Sequence, residues 1–477
     1  MTTNEPLRGR QLALTFGGLL LAMLLGSLDQ TIVSTALPTI VADLGGLEHL
    51  SWVVTAYLLG ATVTMPLWGR LSDLFGRKRL FQTAIVVFLA GSALSGVAQS
   101  LGELIAFRAL QGLGAGGLMT LAMAIVGDIV SPHERGRYQG YIQMVFVLAS
   151  VAGPLLGGLF VDHLSWRWVF YVNLPIGAVA LAVASTTLKL PVERAKVRID
   201  YLGAGLLAAG LTCPLLVSTW GGQQYAWDSD EVVGLALAAV ALLAAFVAQE
   251  RRASEPILPL RLFGDPVFVV VAAVLFLTSM ALFAAIVFMP VFLQVVTGAS
   301  ATSSGILLLP LLLSSTVSTA IAGRIVARTG RYKAFPVAGL ALMAVGLALL
   351  STMDAQTSRA TASALLLVFG LGFGMVSQIL VIAIQNAVDR RDLGIATASA
   401  NLFRSLGGSV GVAVFGAILA ARIDGGGIDA LHASPASSVA HGLHTVFLVA
   451  TPIAALGLAV VLLLREVPLH GPKGATR

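Results

Sequence analysis

The chain has 477 residues, of which 57% are hydrophobic and only 11% charged, with a formal net charge of +6. A soluble domain carries about 25% charged residues, so this composition excludes a water-covered globular surface. The basic residues sit in short clusters between apolar runs, which reads as loop bias and not as a nucleic-acid-binding patch, and the lone Cys213 excludes an intrachain disulfide or a Cys-based metal motif.

Apolar runs long enough to cross about 30 Å of hydrocarbon recur from end to end. They predict fourteen spans, beginning near Leu12, Ser51, Leu80, Gly102, Arg137, Arg167, Tyr201, Glu231, Pro266, Ala301, Ala334, Ala360, Asp392 and His441. The first run is too long for a signal-peptide core and is read as the first helix. Of the 29 basic residues, all but Arg108, Arg167, Arg359, Arg404 and Arg422 fall on one side of these spans. That bias places both termini in the cytoplasm.

The first span carries an aspartate, Asp29, deep among apolar residues. A central Asp costs roughly 2.5–3.5 kcal/mol even on the lenient insertion scale, and intramembrane acids are functional by default. Such a carboxylate can exchange a proton as water access alternates, pair with a cationic substrate, or simply be satisfied by a neighbouring helix. Arg108 in the fourth span is the natural counter-charge. It either pairs with Asp29, directly or through water, or snorkels to the interface.

GRLSDLFGRKR at 69–79 and GRIVARTGRYK at 323–333 match at Gly69/Gly323, Arg70/Arg324, Gly76/Gly330 and Arg77/Arg331, a constant offset of 254 residues. The same offset pairs Gly140 with Gly394, Gly153 with Gly407 and Gly157 with Gly411, and it sets Phe283 opposite Asp29. The repeat predicts an N-terminal six-helix bundle over 1–190 and a linker with two inserted helices over 191–265. A C-terminal six-helix bundle follows over 266–477. Two parallel repeats about a central site are the architecture of an alternating-access transporter. In the second copy Ala327 stands where the first has Asp73, so the acid of this loop is present in one half only.

Four motifs give the chain a resemblance to a known family: LDQTIVSTALP (28–38), GRLSDLFGRKR, RALQGLGAGG (108–117) and GPLLGG (153–158), the last followed by WRWVFYVNLPIG (166–177). The sequence resembles the major facilitator superfamily, in its fourteen-helix drug:proton antiporter branch, and departs at Leu74, where a basic residue is frequent. The resemblance implies an all-α integral membrane protein with the major facilitator fold. It also implies proton coupling through Asp29 and Arg108, and a latch in which Asp73 caps a helix of the opposite half while Arg77 pairs with Asp128, framed by Gly69 and Gly76. Gly153, Pro154, Gly157 and Gly158 serve either close packing or a hinge in helix five.

Gln111, Gln143, Met144, Gln294, Gln378 and Asn386 are candidates to line a substrate cavity, although interhelical hydrogen bonding is the commoner fate of such polar groups. His441 and His444 share a helical face, but no metal site is expected, and no phosphate-binding GxxxxGK[ST] loop occurs. The expected protein is not an enzyme. It is a monomeric, multi-pass protein of a bacterial cytoplasmic membrane, with no cofactor and protons as the coupling ion. It would export hydrophobic, often cationic drugs or toxic compounds; the alternative is export of an endogenous lipid or secondary metabolite.

Overall fold

A computed structural model describes residues 9–44, 50–130, 132–188, 200–221, 225–253, 256–299, 301–389, 392–422 and 435–467. The linker predicted at 191–200 lies outside the described residues except for Asp200. Among the described residues fourteen helical elements follow one another. They are α1 (Gly9–Leu44), α2 (Leu50–Phe75), α3 (Arg77–Val97), α4 (Leu101–Ile129), α5 (Pro132–His163), α6 (Trp168–Tyr171 and Asn173–Thr187) and α7 (Tyr201–Trp220). The second set is α8 (Asp230–Glu250), α9 (Pro266–Val291), α10 (Ala301–Leu307 and Leu309–Thr329), α11 (Ala334–Ser351), α12 (Arg359–Ala387), α13 (Leu393–Ala420) and α14 (Ala436–Leu462). Among the described residues thirteen helices are long and apolar enough to cross a membrane, and α7 is a shorter apolar one.

Proline explains most of the interruptions. Pro175 lacks an N–H, which costs nothing in a first helical turn but breaks a helix interior, and α6 restarts at Asn173, two residues earlier. Pro310 sits likewise just inside the second segment of α10. Pro290 precedes a π-helical turn over Phe292–Val296 at the end of α9.

Helices α1–α6 pack around two apolar clusters and α9–α14 around a third. The inserted pair α7–α8 joins the third cluster through Leu207, Leu211 and Phe246, and α7 also lies against both α2 and α13. The halves meet where α2 packs on α13 and α5 on α10. Gly76 and Gly330, mates at the repeat offset, both have positive φ (95° and 69°), a backbone state that glycine tolerates best. The repeat is therefore written into the loop backbone as well as the sequence.

Two of the basic residues away from the basic face are tied down locally. Arg167 reaches Asp43 at 3.3 Å and the Ala98 carbonyl at 3.2 Å. Arg359 donates to the Thr297 carbonyl at 2.6 Å.

Candidate functional site

Asp29 is fully buried on α1. Its Oδ2 accepts from Arg108 Nη1 at 2.5 Å, and its Oδ1 accepts from Gln111 Nε2 at 2.7 Å and Asn173 Nδ2 at 2.8 Å. Arg108 and Gln111 are three residues apart on one face of α4, and Arg108 Nη1 also donates to Gln111 Oε1 at 2.7 Å. The guanidinium lies 4.2 Å from the Tyr57 ring centroid, and its Nε points to the Val53 carbonyl at 3.4 Å. Asn173 is itself fixed by Ser92 Oγ at 2.9 Å, which donates on to the Phe170 carbonyl.

Among the described residues every hydrogen-bond partner of the carboxylate therefore comes from the N-terminal half. Arg108 is 1% exposed and does not snorkel, and the direct pair is present. Charge-assisted hydrogen bonds of this kind are about twice as strong as neutral ones, and they offset the cost of removing both ions from water. Asn173 Oδ1 has no hydrogen-bond donor among the described residues. The expectation that Asp29 also meets a cationic substrate does not fit this conformation, because the carboxylate is sealed inside one bundle.

The second charged group lies at the basic face. Asp392, the residue before α13, spends its carboxylate on Arg261 at 2.8 Å. The first-turn N–H groups of α13 are served instead from the other half: Gly394 N donates to Asp73 Oδ1 at 3.0 Å and Ile395 N to Asp73 Oδ2 at 2.9 Å. A carboxylate at a helix N-terminus is favoured by about 0.3–1 kcal/mol, up to about 2 when partly buried.

Arg77 bridges Asp73 and Asp128, the latter through Nε at 2.9 Å, and donates to Ser72 Oγ at 2.5 Å. Gly69 permits the approach, since a Cβ there would stand 2.5 Å from Ala398 Cβ. Asp73, Arg77, Asp128, Gly69 and Gly76 are all in or beside this one cluster.

One helix links the two groups. Arg108 and Asp128 are both on α4, on the order of 30 Å apart along it at 1.5 Å per residue. The helix is packed close by glycine: Gly112 meets the Tyr57 backbone and Gly114 the Phe88 backbone. α4 is thus in contact with α2 and α3 and carries Asp128 of the charged cluster at its end.

On α5, Gly153 abuts Thr31 and Gly157 the Ile32 carbonyl, both on α1, whereas Pro154 is exposed and Gly158 meets open space. The cavity candidates divide. Gln143 and Gln378 face each other across the halves at 3.5 Å, with Ser315 Oγ as far from Gln143.

The others have different surroundings in this conformation. Gln111 belongs to the Asp29 network. Met144 is 56% exposed on a face of α5 that also shows Leu148 and Leu155. Gln294 donates to Ser304 within its own half at 3.0 Å, and Asn386 donates to the Val467 carbonyl at the basic face at 3.1 Å.

Sequence reasoning missed Asn173, Ser92 and Tyr57. It quoted Asn173 inside WRWVFYVNLPIG without giving it a task. The same motif anchors the opposite face, where Trp166 Nε1 donates to Asp43 at 2.8 Å. That bond and Arg167 hold the Asp43 carboxyl below its ordinary range. His441 and His444 stack at 6.0 Å, and among the described residues no three ligating side chains gather as a metal site.

Two repeated helical bundles joined at one face by charge define a membrane transporter. The family model described as Major Facilitator Superfamily matches residues 19–412, and the chain belongs to that superfamily. An uncharacterized MFS-type transporter of Mycobacterium tuberculosis is 42% identical over 477 residues, covering 95% of this chain and 69% of that one. The multidrug transporter protein MdtP of Bacillus subtilis is 40% identical over 405 residues, covering 85% and 75%. The solved proton:xylose symporter XylE shares the fold with a TM-score of 0.64 at 15% identity, covering 92% of this chain and 94% of that one.

Proposed function

We propose that the protein is a proton-coupled antiporter that exports hydrophobic drugs or toxic compounds from the cytoplasm of a bacterium by alternating access. The observation that carries this reading is the sealed Asp29–Arg108 pair and its connection through α4 to the latch. The relative named a multidrug transporter supports the export role.

In this conformation the basic face, taken as cytoplasmic, is closed by Asp73 on α13. Toward the other face α1 exposes Gln30, Ser34, Thr35 and Thr39, a polar stripe that leads water to the neighbourhood of Asp29. A proton arriving there neutralises Asp29 and removes the charge from its bond to Arg108. Arg108 and Gln111 then readjust α4, Asp128 is drawn away from Arg77, and the cap on α13 weakens. The halves rock, the basic face opens, and substrate enters as the proton leaves inward. Each charge moved across 100 mV supplies about 2.3 kcal/mol, enough to drive extrusion.

Proteoliposomes with an imposed pH gradient test the proposal. Gradient-driven accumulation of a lipophilic dye is expected for the wild type and lost in Asp29→Asn. Undiminished accumulation in that variant sinks the coupling role.

A further inference from the structure

The second half holds an intramembrane charge that the coupling scheme leaves unused. Arg404 lies on α13, about 17 Å along the helix from Leu393 at 1.5 Å per residue. It is surrounded by protein yet keeps some accessible surface. Among the described residues its one hydrogen bond is from Nη2 to the Ser377 carbonyl, at a long 3.5 Å. Its Nε is buried with no acceptor, and among the described residues no carboxylate answers its charge.

A guanidinium cannot shed its proton in a protein, and an unpaired desolvated charge is costly. The deep acid Asp29 is fully committed to Arg108 in the other bundle. A group that comes and goes has room to complete Arg404, which nothing fixed among the described residues does beyond the Ser377 carbonyl.

The surroundings say where that partner would sit. Arg404 is one turn from Asn401, which points across to Met123 on α4 at 3.5 Å. The next residue, Ser405, bonds Thr62 of α2 at 2.8 Å. On α12, Ser377 is followed by Gln378, the residue that faces Gln143 across the halves and whose Oε1 has no donor among the described residues. Arg404 thus stands beside the polar seam between the halves.

We propose that Arg404 is the anchor of a substrate site in the central pathway, and that the substrates it selects are hydrophobic organic anions, carboxylates above all. The forked guanidinium matches a carboxylate in two parallel hydrogen bonds. A cation gains nothing there, since among the described residues no acid pairs with Arg404 to offset its charge. This rests on the transport reading and replaces its expectation of cationic substrates.

The test is equilibrium binding to the full chain in phosphatidylcholine nanodiscs, with no proton gradient, read by pyrene fluorescence. The probes are 1-pyrenebutyrate, its methyl ester and 1-pyrenemethylammonium. The wild type is expected to bind the carboxylate at least tenfold more tightly than the ester, and the ammonium more weakly than either. Arg404→Gln brings the carboxylate to the level of the ester and leaves ester binding unchanged, which also reports an intact fold. Arg404→Lys keeps the charge without the fork and falls between. A wild type without carboxylate preference, or an Arg404→Gln or Arg404→Lys variant with the full preference, overturns the proposal. Loss of proton coupling at Asp29 and loss of anion preference at Arg404 are separate readouts, so either can fail alone.

Discussion

The loops at 69–79 and 323–333 are copies of one another that the fold uses differently. The first reaches across the molecule: Asp73 serves the N-terminus of α13, and Arg77 ties Asp73 to Asp128. The second closes on its own half: Glu466 accepts from the backbone N–H groups of Tyr332 and Lys333 at 2.6 and 3.1 Å, and Lys333 donates to the Leu462 carbonyl. Its Arg324, Arg328 and Arg331 are exposed. The same division holds at depth, where the first half has a matched ion pair and the second a guanidinium without one. Under the proposed mechanism, the N-terminal half carries the charges that are switched, while the C-terminal half supplies the helix end on which they act.

Removing the deep acid should have the largest effect on this asymmetry. Asp29→Asn leaves Arg108 buried and unmatched, a loss of roughly 3–5 kcal/mol in stability, visible as a lowered unfolding midpoint in detergent. Adding Arg108→Gln should recover most of that stability without restoring coupled transport, because the remaining network is neutral.

Next in size is Asp73→Asn, which weakens the cap on α13 by about 1–2 kcal/mol. It should open the basic face, measured as faster labelling of a cysteine placed at Ala398. The reciprocal change, Ala327→Asp, should move that rate by less than about 0.5 kcal/mol equivalent. Its loop is already satisfied by Glu466, and equal effects from the two substitutions would erase the distinction between the loops.

The smallest effect concerns pH at the opposite face. Asp43 is held below its ordinary carboxylate range by the Trp166 hydrogen bond first and Arg167 second. Its tie to α6 is therefore present above the unfolded carboxylate pKa and lost as pH falls through the lower folded value. A small acid-side change in tryptophan fluorescence is expected, and it should vanish in Asp43→Asn.

Much of this was legible from residues alone. The predicted starts at Tyr201, Pro266, Ala301 and Ala334 coincide with helix starts, because apolar length and basic punctuation decide them. Asp29, Arg108 and the latch residues stand out because charge is rare in this chain. What was hidden depends on three dimensions. Asn173, Ser92 and Tyr57 are ordinary residues until α6 breaks and α3 and α2 close around the pair. Gln111 could have been read as a partner of Arg108 from their helical spacing, but polarity within a span suggested a cavity. The exposure of Met144 depends on how α5 turns, which the periodicity of a uniformly apolar helix does not disclose.

The repeat register also slips in the first helices. Gly153 abuts Thr31, but its mate Gly407 abuts Phe276 and not Ala285, the offset counterpart of Thr31. Phe283 is therefore not the packing equivalent of Asp29, although α9 has no acid at either register.

The central claim, that the state of Asp29 sets the state of the latch through α4, can be read as a distance. Spin labels at Arg79→Cys and Thr329→Cys, with Cys213→Ala removing the native cysteine, report the separation of the halves at the basic face by pulsed electron resonance. The account predicts that acidification lengthens this distance in the wild type, and that Asp29→Asn shows the longer distance at every pH. An Asp29→Asn protein whose distance still responds to pH as the wild type does would contradict it.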